Sequence, residues 1–108
     1  MDMKELNYIV TIADAGSISA AAEKLFMAQS SLSQALSLYE SELGTPIFVR
    51  TSRGVRPTPS GSVFISHARQ ILNHYRLAQS EVWDIEAERR QVEFGISSFR
   101  GTYLLPLP

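Results

Sequence analysis

The stretch Gly16-Ser17-Ile18-Ser19-Ala20-Ala21-Ala22-Glu23-Lys24-Leu25-Phe26-Met27-Ala28-Gln29-Ser30-Ser31-Leu32-Ser33-Gln34 decides the fold. Gly16 ends whatever helix precedes it, and Ser17 or Ser19 then caps a short helix running through Leu25. Ala20, Ala21 and Ala22 favour that helix and leave its surface low enough for another helix to approach closely. A break follows at Phe26-Met27-Ala28. A further helix is predicted from about Gln29 to Leu43, with Leu32, Leu36, Tyr39 and Leu43 on one side, until Gly44 stops it and Pro46 prevents resumption. Two short helices joined by a tight break form a helix-turn-helix pattern.

The other side of the 29–43 helix is unusual for a solvated surface. It carries Gln29, Ser30, Ser33, Gln34, Ser37 and Ser41, with Ser31 beside them, and no lysine or arginine; acids enter only at Glu40 and Glu42. Short neutral hydrogen-bonding groups suit a helix seated in a major groove. Glutamine can pair with the N6 and N7 edge of adenine, and serine can donate to or accept from bases and phosphates. The first turn of such a helix also aims free N–H groups at a phosphate. Taken by itself, the helix is equally compatible with a solvated polar face that happens to be rich in serine.

The segment downstream tips that balance. Ile47-Phe48-Val49-Arg50 is a β-like run, Thr51-Ser52-Arg53-Gly54 a turn, and Val55-Arg56 a returning strand that closes at Pro57. Arg50, Arg53 and Arg56 thus fall on one hairpin, and no acid lies between Leu43 and Ile71. Arginines on a wing beside such a helix are placed for phosphates or a minor groove. The whole chain has a net charge of −1, against a basic excess in most DNA binders. A local patch can still attract phosphate, because fields act over about a Debye length, roughly 8 Å.

Upstream, Asp2 and Glu5 form a capping box for a helix carrying Leu6, Ile9, Val10 and Ala13 on one face. After the wing, Thr58 followed by Pro59 starts a long helix reaching about Arg89 or Arg90. Its apolar residues Phe64, Ala68, Ile71, Tyr75, Ala78, Val82 and Ile85 advance by alternating steps of four and three. That sustained heptad period calls for a helical partner, most simply a second copy of the chain. Val92, Phe94 and Ile96 alternate like a strand that would belong to a further domain.

Several function classes are excluded or unsupported. With no cysteine in 108 residues there is no disulfide, thiolate metal site or cysteine nucleophile. No apolar run approaches the roughly 18 residues of a membrane span, and the N-terminus is no signal peptide, so a cytoplasmic protein is expected. His67 and His74 are seven apart, about 10.5 Å along a helix, too far to share one metal ion. They are read as seam-edge packing, and Tyr75 and Trp83 as seam or interdomain packing. No nucleophile–base–acid grouping is present, so neither catalysis, cofactor nor metal is expected.

The same residues resemble the N-terminal region of LysR-type transcriptional regulators. The similarity runs without gaps from residue 1 to about 90, through Met3-Lys4-Glu5-Leu6-Asn7-Tyr8-Ile9-Val10, the 16–25 and 28–34 segments, Glu42-Leu43-Gly44-Thr45-Pro46-Ile47-Phe48-Val49-Arg50 and Pro57-Thr58-Pro59-Ser60-Gly61. It implies that Gln29, Ser33 and residue 34 approach bases or phosphates and that Arg50 and Arg53 serve the wing. Three positions depart from the family pattern: Ala28 where a capping Ser or Thr is favoured, Ser30 where Pro is usual, and Gln34 where Arg is common. The resemblance further implies an effector-binding domain of two α/β lobes, with Ser97, Ser98 and Phe99 at the start of its effector loop.

The resulting expectation is a mostly α protein. Residues 1–58 form a winged helix-turn-helix of three helices and a two-stranded wing, 59–90 a linker and dimerisation helix, and 91–108 the start of a truncated α/β effector-binding domain. The expected partners are double-stranded DNA and a second copy of the chain, or a tetramer in a full-length protein. A small-molecule effector is expected only where the C-terminal domain is present. The competing class is a dimerisation or interaction module that has lost DNA binding.

Overall fold

The computed structural model of the chain describes residues 1–97. Along them run α1 (Met3–Ala15), α2 (Ile18–Lys24), α3 (Gln29–Leu43), β1 (Phe48–Thr51), β2 (Gly54–Pro57) and α4 (Pro59–Ser97). The chain divides into two units, with the boundary between residues 72 and 73.

Local signals set the helix ends in the first unit. Asp2 accepts from the Glu5 N–H at 2.9 Å while Glu5 accepts from the Asp2 N–H at 2.9 Å, so two orphan donors of α1 are satisfied reciprocally. Ser17 Oγ caps α2 by accepting from the Ala20 N–H at 3.0 Å. Ala28 gives α3 no side-chain cap. Gly16 and Gly44 terminate α1 and α3 in the left-handed conformation. Between α2 and α3 the backbone turns at Phe26, which sits at φ 56, a region a bulky residue seldom occupies.

The apolar faces then close on one another. Ile9 and Ile12 of α1, Ile18, Ala21 and Ala22 of α2, and Leu32, Leu36 and Tyr39 of α3 form the main core, joined by Ile47, Phe48 and Ile65. Burying each large aliphatic side chain contributes about 1.5–3 kcal/mol. Burial, with the Glu5 carboxylate nearby, pushes the Tyr39 phenol up to about 12. A second cluster joins Leu6 and Val10 of α1 to Ala68 and Leu72 of α4, with Phe64 packed against both clusters. At its edge Arg69 donates to Asp14 at 2.7 Å, and that hydrogen bond holds the Asp14 carboxyl below its ordinary value. Both side chains are about half exposed, so the pair is worth only about 0–1 kcal/mol.

The wing is an antiparallel pair with Phe48 opposite Pro57, Val49 opposite Arg56, Arg50 opposite Val55, and Thr51 opposite Gly54. It is pinned to the α1–α2 corner, where the Val55 N–H donates to Gly16 O at 2.9 Å. Gly54, at φ +135, lies so close that a Cβ there would stand 2.1 Å from Gly16 O. At the start of α4, Thr58 Oγ1 accepts from the Gly61 N–H at 2.8 Å and donates to Pro46 O at 2.8 Å. The Thr58 N–H donates to Ile47 O at 2.9 Å, and Gly61 packs directly on that carbonyl.

Residues 73–97 of the second unit continue α4 as regular helix. The helix has 39 residues in all. The strand predicted from Val92, Phe94 and Ile96 is therefore corrected: these positions are helical. An alternation of five residues is a short signal, and a strand needs a ladder partner, whereas an existing helix extends by adding one bond per residue.

The predicted seam is also corrected at its beginning. Ala68 is 1% exposed, buried by the chain's own α1, so it has no surface left for a partner, and Phe64 is partly buried in the same way. Ile71, Tyr75, Ala78, Val82 and Ile85 are exposed, as are Leu77, Trp83 and Val92.

Candidate nucleic-acid interface

The recognition surface begins with how α3 is held. Leu32, Leu36 and Tyr39 are buried on one side of the helix. By helical periodicity, about 100° per residue, this turns the polar residues outward. Gln29, Ser30, Ser31, Gln34, Ser37 and Ser41 are exposed, and Ser33 is half-buried. Because Ala28 provides no side-chain acceptor, the first-turn N–H groups of α3 keep their capacity for an anion.

The three wing arginines are all exposed, yet they do not share a face. Residues directly opposite in a ladder point to the same side, and neighbours along a strand alternate. Arg50 therefore shares a face with Val55, and Arg56 shares the other with Val49. Arg53 lies in the two-residue connection. Arg50 turns toward α3, where its Nη2 donates to Ser33 Oγ at 3.1 Å. This engages one lone pair of Ser33 and leaves its O–H as a donor, a polarity suited to phosphate oxygen, guanine N7 or O6, or thymine O4. The turn is braced by Thr51, whose Oγ1 accepts from the Arg53 N–H at 3.2 Å and donates to Gly54 O at 3.2 Å.

Between the start of α2, the start of α3 and the wing lies a shallow polar hollow bordered by Ser17, Ser19, Gln29, Arg50, Thr51 and Ser52. Sequence reading found Gln29 and Arg50 but not the other four, because only the tertiary approach of the wing to the α1–α2 corner assembles them. In the sequence Ser17 and Ser19 are visible only as helix-cap candidates. Phe26, in the turn between α2 and α3, is 96% exposed, which the sequence does not announce. The two acids of α3 are treated differently by the fold: Glu42 is exposed, while Glu40 accepts from the Ile47 and Phe48 N–H groups at 2.7 and 3.1 Å.

Of the remaining predicted positions, Ser98 and Phe99 lie outside the described residues, and Ser97 is the last residue of α4. Among the described residues there is no group of three or more His, Asp or Glu that could hold a metal ion, and no helix long and apolar enough to cross a membrane.

Comparisons with known proteins agree with this geometry. The family described as bacterial regulatory helix-turn-helix protein, lysR family, matches residues 3–62. The nitrogen assimilation regulatory protein nac of Klebsiella aerogenes is 37% identical over 109 residues, spanning 100% of this chain and 36% of nac. The HTH-type transcriptional regulator TfdT of Cupriavidus pinatubonensis is 31% identical over 118 residues, spanning 100% of this chain and 52% of TfdT. The chain thus spans between about a third and a half of the length of these relatives. Among solved structures, the BenM DBD in complex with catB site 1 DNA superposes with a TM-score of 0.77 at 32% identity, covering 82% of this chain and 96% of that one. The CbnR DBD in complex with DNA gives 0.70 at 29% identity, covering 76% and 94%. The fold is the winged helix-turn-helix of LysR DNA-binding domains followed by a long helix, and the chain belongs to the lysR family of bacterial regulatory helix-turn-helix proteins.

Proposed function

We propose that the chain binds duplex DNA in a sequence-specific manner as part of a transcriptional regulator. The exposed serine and glutamine surface of α3 enters the major groove, and Arg50, Arg53 and Arg56 contact the backbone or an adjacent minor groove. The observation that carries this reading is the exposed polar face of α3, held outward by the burial of Leu32, Leu36 and Tyr39 and bordered by the arginine wing. Structures of related domains in complex with DNA support it. Two copies pair through the exposed stripe of α4 from Ile71 to Ile85, fixing two recognition helices at a set separation for a two-fold-related operator. The role is binding rather than catalysis, and it is exercised in the bacterial cytoplasm. Residues 1–58 are the DNA-binding domain and residues 59–90 the linker and dimerisation helix. Residues 91–108 lead into an effector-binding domain, with Ser97, Ser98 and Phe99 at the start of its effector loop.

Electrophoretic or anisotropy titration across salt tests the reading. Affinity for an operator duplex is expected to fall steeply as salt rises, with a log–log slope near −0.9 per phosphate neutralised. No binding even at low salt would refute it and leave an interaction module. Within that assay Arg53→Ala should weaken binding to all sequences about tenfold and reduce the slope by about one. Gln29→Ala should instead relax preference at one base-pair position, at about 1–3 kcal/mol. A uniform loss from the glutamine variant across all duplexes would count against base reading by that residue.

A further inference from the structure

Glu40 is a carboxylate on the helix assigned to a polyanion, in its last turn and a half. Its charge is not left facing outward. One oxygen, Oε2, accepts from both the Ile47 N–H at 2.7 Å and the Phe48 N–H at 3.1 Å. Ile47 is completely buried and Phe48 is 6% exposed, so these two donors sit at the dry root of the wing, immediately before and at the start of β1. Charge-assisted bonds to buried N–H groups are the strong class of hydrogen bond.

Seven residues earlier on α3, Ser33 lies on nearly the same side of the helix, since seven steps of about 100° return to within about 20°. Ser33 accepts from Arg50, which shares a strand face with Phe48. The wing strand is thereby fastened to α3 twice, by Glu40 at its root and by the Ser33–Arg50 contact further out. The outer contact is solvent-exposed and single. The inner one is partly buried and double, so it is the one that fixes where β1 starts relative to α3.

We propose that Glu40 is a positioning residue for DNA recognition. By holding the Ile47 and Phe48 amides it sets the height of the wing against α3, so that Arg50 and Arg53 reach phosphates in register with the bases that α3 meets. The proposal rests on the DNA-binding reading above. It assigns to an acid on the recognition helix a favourable part in binding an anion, without contact between them.

The test is a double-mutant cycle on a duplex selected by the parent protein from a random-sequence pool, with folding followed by circular dichroism well below the melting temperature. Glu40→Gln keeps the side-chain shape and removes the charge. The expected result is a folded protein whose affinity falls about tenfold, and in which adding Arg53→Ala changes affinity less than about twofold, against about tenfold in the parent. The salt slope should flatten by about one, while the base preference set by Gln29 persists. A purely structural role would lower the melting temperature and leave the Arg53 penalty and the slope intact; that outcome overturns the proposal. Should Glu40→Gln fail to fold, Glu40→Asp, which keeps the charge but is one methylene too short, is read by the same cycle. Absence of binding by the parent protein at low salt would refute the DNA-binding reading itself. Parent binding with an unchanged Glu40→Gln cycle would refute only the positioning role.

Discussion

Gly61→Ala is expected to lower the thermal unfolding midpoint of the protein by roughly 15 °C or more. In an ordinary helix interior the same change stabilises by about 1 kcal/mol, because alanine is the better helix former. Here the first turn of α4 lies directly against the wing root. A Cβ on Gly61 would stand 1.9 Å from Ile47 O, 2.8 Å from Ile47 C and 3.0 Å from Ile47 Cα. All three are backbone atoms of a residue with no exposed surface, so no side chain can rotate away. Relief requires α4 to retreat, which opens the packing of Ile65 on the core and stretches the Thr58 contacts to Ile47. Overpacking typically costs about 1–3 kcal/mol, contact with buried backbone that cannot rotate away puts this case at the upper end or beyond, and each kcal/mol shifts the midpoint of a small domain by about 4–8 °C. Calorimetry or a circular-dichroism melt decides it. An unchanged or raised midpoint would mean that α4 does not approach Ile47 as described.

Val82→Asp is expected to convert a dimer into monomers. Val82 is 55% exposed on α4 between Tyr75 and Ile85, which are also exposed. Pairing of two copies through this stripe would bury the new carboxylate on both sides of the two-fold axis. An unpaired buried charge is costly enough to oppose association by several kcal/mol. Analytical ultracentrifugation at micromolar concentration should show the parent as a dimer and the variant at half its mass. Affinity for a two-half-site operator should then drop about 100-fold or more as bivalency is lost. Affinity for a single half-site should stay unchanged, because residue 82 lies outside the 1–72 unit that carries the wing and α3. A variant that remains dimeric would remove this stripe from the interface.

Much of the fold was legible because its punctuation is local. The Asp2–Glu5 box, Gly16, Gly44 and the Thr58-Pro59 pair each act within a few residues of themselves, and the helix bounds they predict agree with the structure. The outward face of α3 was legible for a similar reason, since helical period alone separates Leu32, Leu36 and Tyr39 from Gln29, Gln34 and Ser37. What stayed hidden depends on partners distant in sequence. The heptad through Phe64 and Ala68 is continuous with Ile71 and Tyr75, and periodicity cannot say that the first two residues serve α1. Three arginines within seven positions suggested one patch, whereas strand register sends Arg50 and Arg56 to opposite sides. The Val92–Ile96 alternation was too short to outweigh a helix already under way. Nothing in the composition of the Phe26 turn announced a left-handed aromatic residue.

Ile47 is gripped from two directions. Its N–H is taken by Glu40 of α3, and its carbonyl by the Thr58 amide, with Gly61 pressed against the same oxygen. One buried peptide unit thus ties α3 to the first turn of α4. Anyone grafting this head onto a foreign linker should therefore transplant residues 40, 47, 58 and 61 as one set. A junction that splits them would lose the contacts that hold the first turn of α4 to Ile47.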